Sequence, residues 1–354
     1  MKNYFLVLST LIIFNTNAYD RITGLEFASR SEVLSTNGMA ATSHPLATQT
    51  ALSVLQNGGN AIDAAIAANA VLGLVEPTGC GVGGDLFAIV WSADDAKLYG
   101  LNASGPSPQN ISIDEIKNKG LDKIPPYGPL PVTVPGVVGG WTELHKKFGL
   151  LDFKFLFNDA INYAENGFPV SELVAYYLNL SSNNFKDYPN FKETWMPNGN
   201  IPKKGDLFKN PYLAETYKKI AKSYGEDFYK GDIAKEISSF IIEQGGYLTF
   251  EDMEMYKPEW INPVSTNYRG YDVWELPPNG QGIAALQMLN ILENFDIKKL
   301  GFGSAEYIHL FTETKKIVYE DRAKYYADLN FSNIPVSKLI SKEYAKDRLN
   351  LIDL

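Results

Sequence analysis

Histidine and cysteine, the side chains that most often serve as base, nucleophile or metal ligand near neutral pH, are few in this chain: three histidines, His44, His145 and His309, and one cysteine, Cys80, which lies in a glycine loop from Gly79 to Asp85. A catalytic cysteine needs a histidine partner. The position of Cys80 in a glycine loop between apolar elements favours a packed, inert thiol instead, and a single thiol closes no internal disulfide. The loop holds a G-x-G-x-x-G string (Gly79, Gly81, Gly84). Dinucleotide binding requires a strand before that string and a helix after it, so that phosphates meet a helix N-terminus. Here the order is helix, loop, strand, which reads as a tight turn that lets backbones approach closely. His145 and His309 lie in helical patterns with no second histidine or cysteine at ligand spacing, so both are read as hydrogen-bonded structural residues. No metal and no cofactor is expected.

The elements that must position this loop lie within residues 38–102. Ser43 is placed to cap a helix with Pro45 in its first turn, which Asn57-Gly58-Gly59 stops. Asn60, with Asp63 three residues on, caps a second helix whose many alanines let it lie close to a sheet. Pro77 ends it. Residues 86–91 have the composition of a buried strand, turned by residues 93–96 into a partner strand, 97–102. Asn102-Ala103-Ser104-Gly105-Pro106-Ser107-Pro108 then leaves the ladder as an irregular loop. Further on, helices are expected at 113–119, 136–148, 155–166, 173–180, 211–224 and 233–244. Residues 179–204 look most loop-like, and Thr249 opens a capping box. A hairpin (264–268, 271–275) and helices over 283–295, 304–327 and 341–349 complete the pattern. The 304–327 helix is expected to bury Ile308, Phe311, Val318 and Tyr325.

Residues 38–85 closely resemble the N-terminal signature of the gamma-glutamyltranspeptidase family of N-terminal-nucleophile (Ntn) amidohydrolases. The resemblance continues at Val134-Pro135-Gly136-Val137-Val138-Gly139-Gly140-Trp141 and Ala164-Glu165-Asn166-Gly167-Phe168-Pro169-Val170. It extends through Gly245-Gly246-Tyr247-Leu248-Thr249, Tyr268-Arg269-Gly270-Tyr271 and Pro277-Pro278-Asn279-Gly280-Gln281-Gly282. Ser304-Ala305-Glu306-Tyr307-Ile308-His309 and Asp321-Arg322-Ala323 close the series. These motifs keep the family's order.

The resemblance implies an α+β fold, the αββα sandwich of Ntn hydrolases, of which this chain is the large-subunit part, incomplete without the small subunit. It implies acyl transfer from a gamma-glutamyl compound or another small amide. The nucleophile is a threonine freed at a new N-terminus, whose own amino group serves as base. The Thr-Thr-His type motif that carries it is not found here, so no catalytic residue is assigned, and the expected partner is a small-subunit polypeptide. Without that partner, strand 86–91 is expected to have an unpaired edge and exposed apolar face, and the chain to be unstable alone. Members that take glutamyl substrates clamp the alpha-carboxylate with an arginine after the second strand. No arginine occurs between Arg30 and Arg269; its place falls on Asn102, Ser104 or Pro106, according to the alignment. In this respect the loops look more like the branch with oxamate amidohydrolase-like members. Asn102, Ser104 and Gly105 are the expected substrate-pocket residues, although Asn and Ser at a strand end also bond their own backbone. The alternatives are a non-catalytic binding or scaffold homologue and a truncated, inactive product.

With 354 residues, 45% of them hydrophobic, the chain can build a sizeable core, and a net charge of -9 without a basic cluster excludes nucleic acid as a partner. Residues 1–18 read as a secretory signal peptide, with Lys2, an apolar run and Thr16-Asn17-Ala18 as cleavage site. The gamma-glutamyltranspeptidase-like region is then 19–354, periplasmic or secreted, with no membrane association after cleavage.

Overall fold

The computed structural model describes residues 31–353; the expected signal peptide lies outside them. Residues up to Met39 form one unit and those from Ala40 another, and the fold below is that of the second. Among the described residues no helix is long and apolar enough to cross a membrane.

Helix α1 (Pro45–Gln56) is capped by His44, not Ser43: Nδ1 of His44 accepts the Leu46 N–H at 3.2 Å. Ser43 instead gives its hydroxyl to Glu76, 33 residues away. Helix α2 (Ala61–Val75) starts at the expected capping box. Asn60 Oδ1 accepts the N–H groups of Ile62 and Asp63, while the Asp63 carboxylate takes the Asn60 N–H at 3.1 Å. The same carboxylate, fully buried, also accepts the N–H groups of Leu150 and Leu151. The alanines of α2 serve close packing on other helices rather than on the sheet. A methyl on Gly73 would sit 2.8 Å from the Tyr217 hydroxyl, which itself donates to Ala70 O at 2.7 Å.

Strands β1 (Leu86–Ser92) and β2 (Lys97–Ala103) pair antiparallel with Phe87 opposite Asn102. The helix against them is α3 (Val137–Phe148), whose Gly140 lies where a methyl would meet Ala103 Cβ and Leu86 Cδ2 at 3.0 Å. Next in the chain, helix α4 (Pro211–Ser223) brings Tyr217 to α2. Strand β3 (Glu259–Ile261) pairs with β2, so the sheet order is β1-β2-β3 and β1 is an edge. Strands β4 (Val264–Tyr268) and β5 (Tyr271–Glu275) form the expected hairpin, turned at Arg269 and Gly270 with positive φ. Helix α5 (Gly282–Leu292) packs Ile283 and Leu286 with Val264 and Val273 of that hairpin. Leu276, just past β5, reaches Gly100 on the face of β2 away from α3. The layer order is therefore helix, sheet, sheet, helix: an α+β architecture of the αββα kind.

Several expectations need correction. Composition alone suggests a fully buried strand for 86–91, whereas β1 has the exposed apolar face expected of it without a partner: Leu86, Ala88 and Val90 point inward, and Phe87, Ile89 and Trp91 are 41%, 40% and 60% exposed. Residues 179–204 are not all loop, since a helix runs Glu172–Phe185 with Val174, Leu178 and Ser182 on its buried side. Helix α6 (Ala305–Tyr325) buries Leu310, Thr314, Ile317, Val318 and Asp321, while Ile308 and Phe311 face outward. Asp321 turns that face inward, accepting from Gln287, Tyr344 and Arg348 and so tying α6 to α5 and to α7 (Lys342–Leu349).

Candidate functional site

The end of β2 is built by backbone contacts that only glycine permits. Gly105 has φ +78°, and a Cβ there would lie 1.8 Å from Val134 O; a Cβ on Gly136 would lie 1.9 Å from Ala103 O. Segments 103–106 and 134–136 thus run back to back, joined by Val134 N–H to Pro106 O at 3.0 Å. The carbonyl of Gly84, in the glycine loop, accepts the N–H groups of Gly136 and Val137 at 2.9 and 3.0 Å. These N–H groups open helix α3 and have no partner within it, so the loop's carbonyl satisfies them and is fixed by them.

On this platform Asn102 Oδ1 accepts the Ser104 N–H at 3.0 Å, the expected local turn. Its amide also reaches across: Asn102 Nδ2 donates to Asn279 Oδ1 at 2.7 Å, and Asn279 Nδ2 donates to Ser104 Oγ at 3.0 Å. The end of β2 and a loop 175 or more residues away in sequence are joined by two amides and a hydroxyl. Of the three residues expected to line a pocket, Asn102 and Ser104 enter this cluster, and Gly105 shapes its backbone. The cluster carries no charge. It can orient an amide or carbonyl through hydrogen bonds but cannot move a proton by itself. The arginine's three candidate positions hold two of these polar residues and Pro106, so no bidentate carboxylate clamp forms there.

Beside the cluster, a cleft of about 470 Å³ opens between the outer face of β1 and the 277–282 loop, lined by Phe87, Ile89, Glu275, Gly280 and Gln281. Burial pushes the Glu275 carboxyl up from its usual range, offset in part by the N–H of Leu276. Asn279, Glu275 and Phe87 were not singled out from sequence; the Pro277–Gly282 string, already visible as a motif, was the signal for the first of them. A second cleft of about 370 Å³ lies at the glycine loop, lined by Asn69, Cys80, Gly81 and Asp85 among others. Burial, and secondarily Glu76, raise the Cys80 thiol above its usual range, which disfavours the reactive thiolate.

The histidines stay out of both clefts. His145 bonds Tyr224 Oη and Leu151 O, each at 2.8 Å, and His309 bonds Asp353 O at 2.7 Å. His44, the helix cap, is buried, and burial lowers its pKa against a weaker opposing pull from Glu76.

The chain is similar to known proteins in both sequence and fold. Residues 47–354 match the sequence profile of the family described as gamma-glutamyltranspeptidase. The glutathione hydrolase-like YwrD proenzyme of Bacillus subtilis is 36% identical over 315 residues, covering 89% of this chain and 60% of that protein. The chain therefore spans about three-fifths of the length of this relative. Among solved structures, gamma-glutamyltranspeptidase of Helicobacter pylori superposes with a TM-score of 0.86 at 34% identity, over 91% of this chain and 94% of that one. Cephalosporin acylase of Bacillus halodurans gives a TM-score of 0.87 at 42% identity, over 92% of this chain and 62% of that one.

Proposed function

This chain belongs to the gamma-glutamyltranspeptidase family, and from that premise we propose that it is the substrate-framing part of an exported amidohydrolase that transfers the acyl group of a small amide to water or an amine. The region concerned is 19–354, following a signal peptide at 1–18. In this reading a threonine at the N-terminus of a further, small-subunit polypeptide supplies the nucleophile. Its hydroxyl attacks the amide carbonyl, its amino group takes the hydroxyl proton and passes it to the departing amine, and water or an acceptor amine then releases the acyl group from the ester. Asn102, Ser104 and Asn279 hold the donor's polar end, on a backbone shaped by Gly105.

One observation carries the proposal: the unfinished edge of β1. Among the described residues this strand pairs only with β2, and Phe87, Ile89 and Trp91 form an apolar row beside the polar cluster. Such an edge invites a further strand. Covering what remains exposed of the three side chains would contribute on the order of 3 kcal/mol, at about 1.5–3 kcal/mol per fully buried apolar side chain.

Co-expression with a small-subunit polypeptide of the family tests this. Expected are two co-purifying polypeptides and release of p-nitroaniline from gamma-glutamyl-p-nitroanilide, or of ammonia from oxamate, with Ile89→Ser and Trp91→Ser reducing the yield of the pair. A chain that is monodisperse and melts cooperatively by itself, and gains neither partner nor activity, would speak for the scaffold homologue or inactive product instead.

A further inference from the structure

The helix Glu172–Phe185 presents an outward face that its own fold leaves bare. Val174, Leu178 and Ser182 point into the core, whereas Leu173, Tyr176, Tyr177 and Leu180, spaced as one helical face, are each 45–60% exposed. The rings of Tyr176 and Tyr177 meet edge to face with centroids 5.3 Å apart, and among the described residues neither hydroxyl has a hydrogen-bond partner. No Asp, Glu, Lys or Arg occurs from Leu173 to Phe185, in a chain whose net charge is -9. Beside the apolar row lie Asn179, Asn183 and Asn184, all exposed. The helix is fastened by Glu172, paired with Lys204 at 2.5 Å, and by the Phe185 ring, 5.0 Å from that of Tyr127. The row thus belongs neither to the outer face of β1 nor to the polar cluster.

Its order is palindromic: Leu, Tyr, Tyr, Leu, with the midpoint between Tyr176 and Tyr177. A two-fold axis through that midpoint lays a second copy of the helix antiparallel on the first. Leu173 then meets Leu180 of the second copy, Leu180 meets its Leu173, and the two tyrosine pairs pack together, which are the reciprocal contacts of an isologous interface. A helix of unrelated sequence would have to match this row; a second copy matches it by symmetry. The four side chains leave roughly 400 Å² uncovered per copy, given about 150–250 Å² for a whole aromatic side chain. A standard interface covers about 800 Å² per partner, a little over half of it non-polar. The row therefore supplies the apolar centre of such an interface, and the asparagine amides supply its rim. Two acidic chains can close over this stretch without setting like charges against each other.

We propose that this helix is the contact between two copies of the chain, paired antiparallel about the Tyr176–Tyr177 midpoint. The pairing is independent of the amidohydrolase reading, since it uses no residue assigned to substrate or to the small-subunit edge.

The test is the mass in solution of the full protein, co-purified with the small-subunit polypeptide where one binds, by sedimentation equilibrium up to about 100 μM. Expected is a reversible doubling of the single-assembly mass. Leu173→Lys and Leu180→Glu each weaken it at least about tenfold, because a lone charge is then covered by leucine. The double variant Leu173→Lys/Leu180→Glu associates at least about tenfold more tightly than either single one, because each lysine faces a glutamate of the other copy. Within one helix these positions are seven apart and do not meet, so recovery reports pairing between copies. Each variant is checked for a wild-type circular dichroism spectrum and melt. Should a charged variant misfold, Tyr176→Ala and Tyr177→Ala replace it, each expected to weaken association about tenfold. A single-assembly mass at every concentration overturns the proposal and leaves the row to a partner of other sequence. Doubling that is indifferent to these single substitutions, or that a folded double variant fails to recover, overturns it as well.

Discussion

Replacing Gly105 by alanine probes the platform under the polar cluster. A methyl there would stand 1.8 Å from Val134 O, and real Cβ atoms essentially never come within 3.0 Å, so the two segments must separate by more than 1 Å. The Val134–Pro106 bond at 3.0 Å cannot survive that shift, and the Gly136–Gly84 bond at 2.9 Å is dragged with it. Two backbone bonds at about 1 kcal/mol each, plus about 1–2 kcal/mol for a left-handed alanine, give a loss of about 3–4 kcal/mol. Gly120 provides the control: φ is +75° there but nothing lies within 4 Å, so Gly120→Ala incurs only the conformational part. At about 2 °C per kcal/mol for a large domain, Gly105→Ala should melt about 6–8 °C below wild type and Gly120→Ala about 2–4 °C below. Thermal melts of the protein co-expressed with the proposed small-subunit polypeptide, followed by circular dichroism, decide. If the two variants melt together, the back-to-back packing of 103–106 on 134–136 is not what holds this loop.

Asn60→Ala should cost about 1 kcal/mol, and Asp63→Ala on the order of 3 kcal/mol because it orphans N–H groups from two segments; urea unfolding measures both. The raised pKa of Glu275 makes its contribution to stability fully present below the unfolded carboxylate value and lost as pH rises through the folded one. Wild type should therefore lose stability relative to Glu275→Gln as pH rises from the ordinary carboxylate value through the raised one, and identical pH–melting curves would contradict the burial argument. Cys80 should react with a disulfide reagent at neutral pH at least tenfold more slowly than a free thiol, and reach the free rate in denaturant.

Local chemistry was legible in the sequence wherever both partners lie within a few residues. The Asn60–Asp63 and Thr249–Asp252 boxes stand as read, as does the 264–275 hairpin turned at Arg269-Gly270. Long-range partners were not legible. Ser43 matched a cap by type, but Glu76 claims its hydroxyl and His44 takes the cap. The helix Glu172–Phe185 was cut short because its outer face is rich in Asn and Ser, which masks a buried row spaced at four. On α6 the expected face through Ile308 and Phe311 fails because the polar Thr314 and Asp321, rather than apolar side chains, share the buried side with Leu310, Ile317 and Val318. The site shows the same divide. The Asn102–Ser104 turn follows from the loop's own residues, whereas Asn279 and Glu275 reach it only through the packing of one sheet on the other.

The most direct test of the account is p-nitroaniline release from a small acyl anilide by the protein assembled with its small-subunit segment, wild type against Asn279→Ala. Asn279 donates to Ser104 and accepts from Asn102 from an exposed loop, so its loss should spare the fold. The variant should show kcat/KM at least tenfold lower, with an unchanged melt. A variant as active as wild type would show that the joined loops do not frame the substrate.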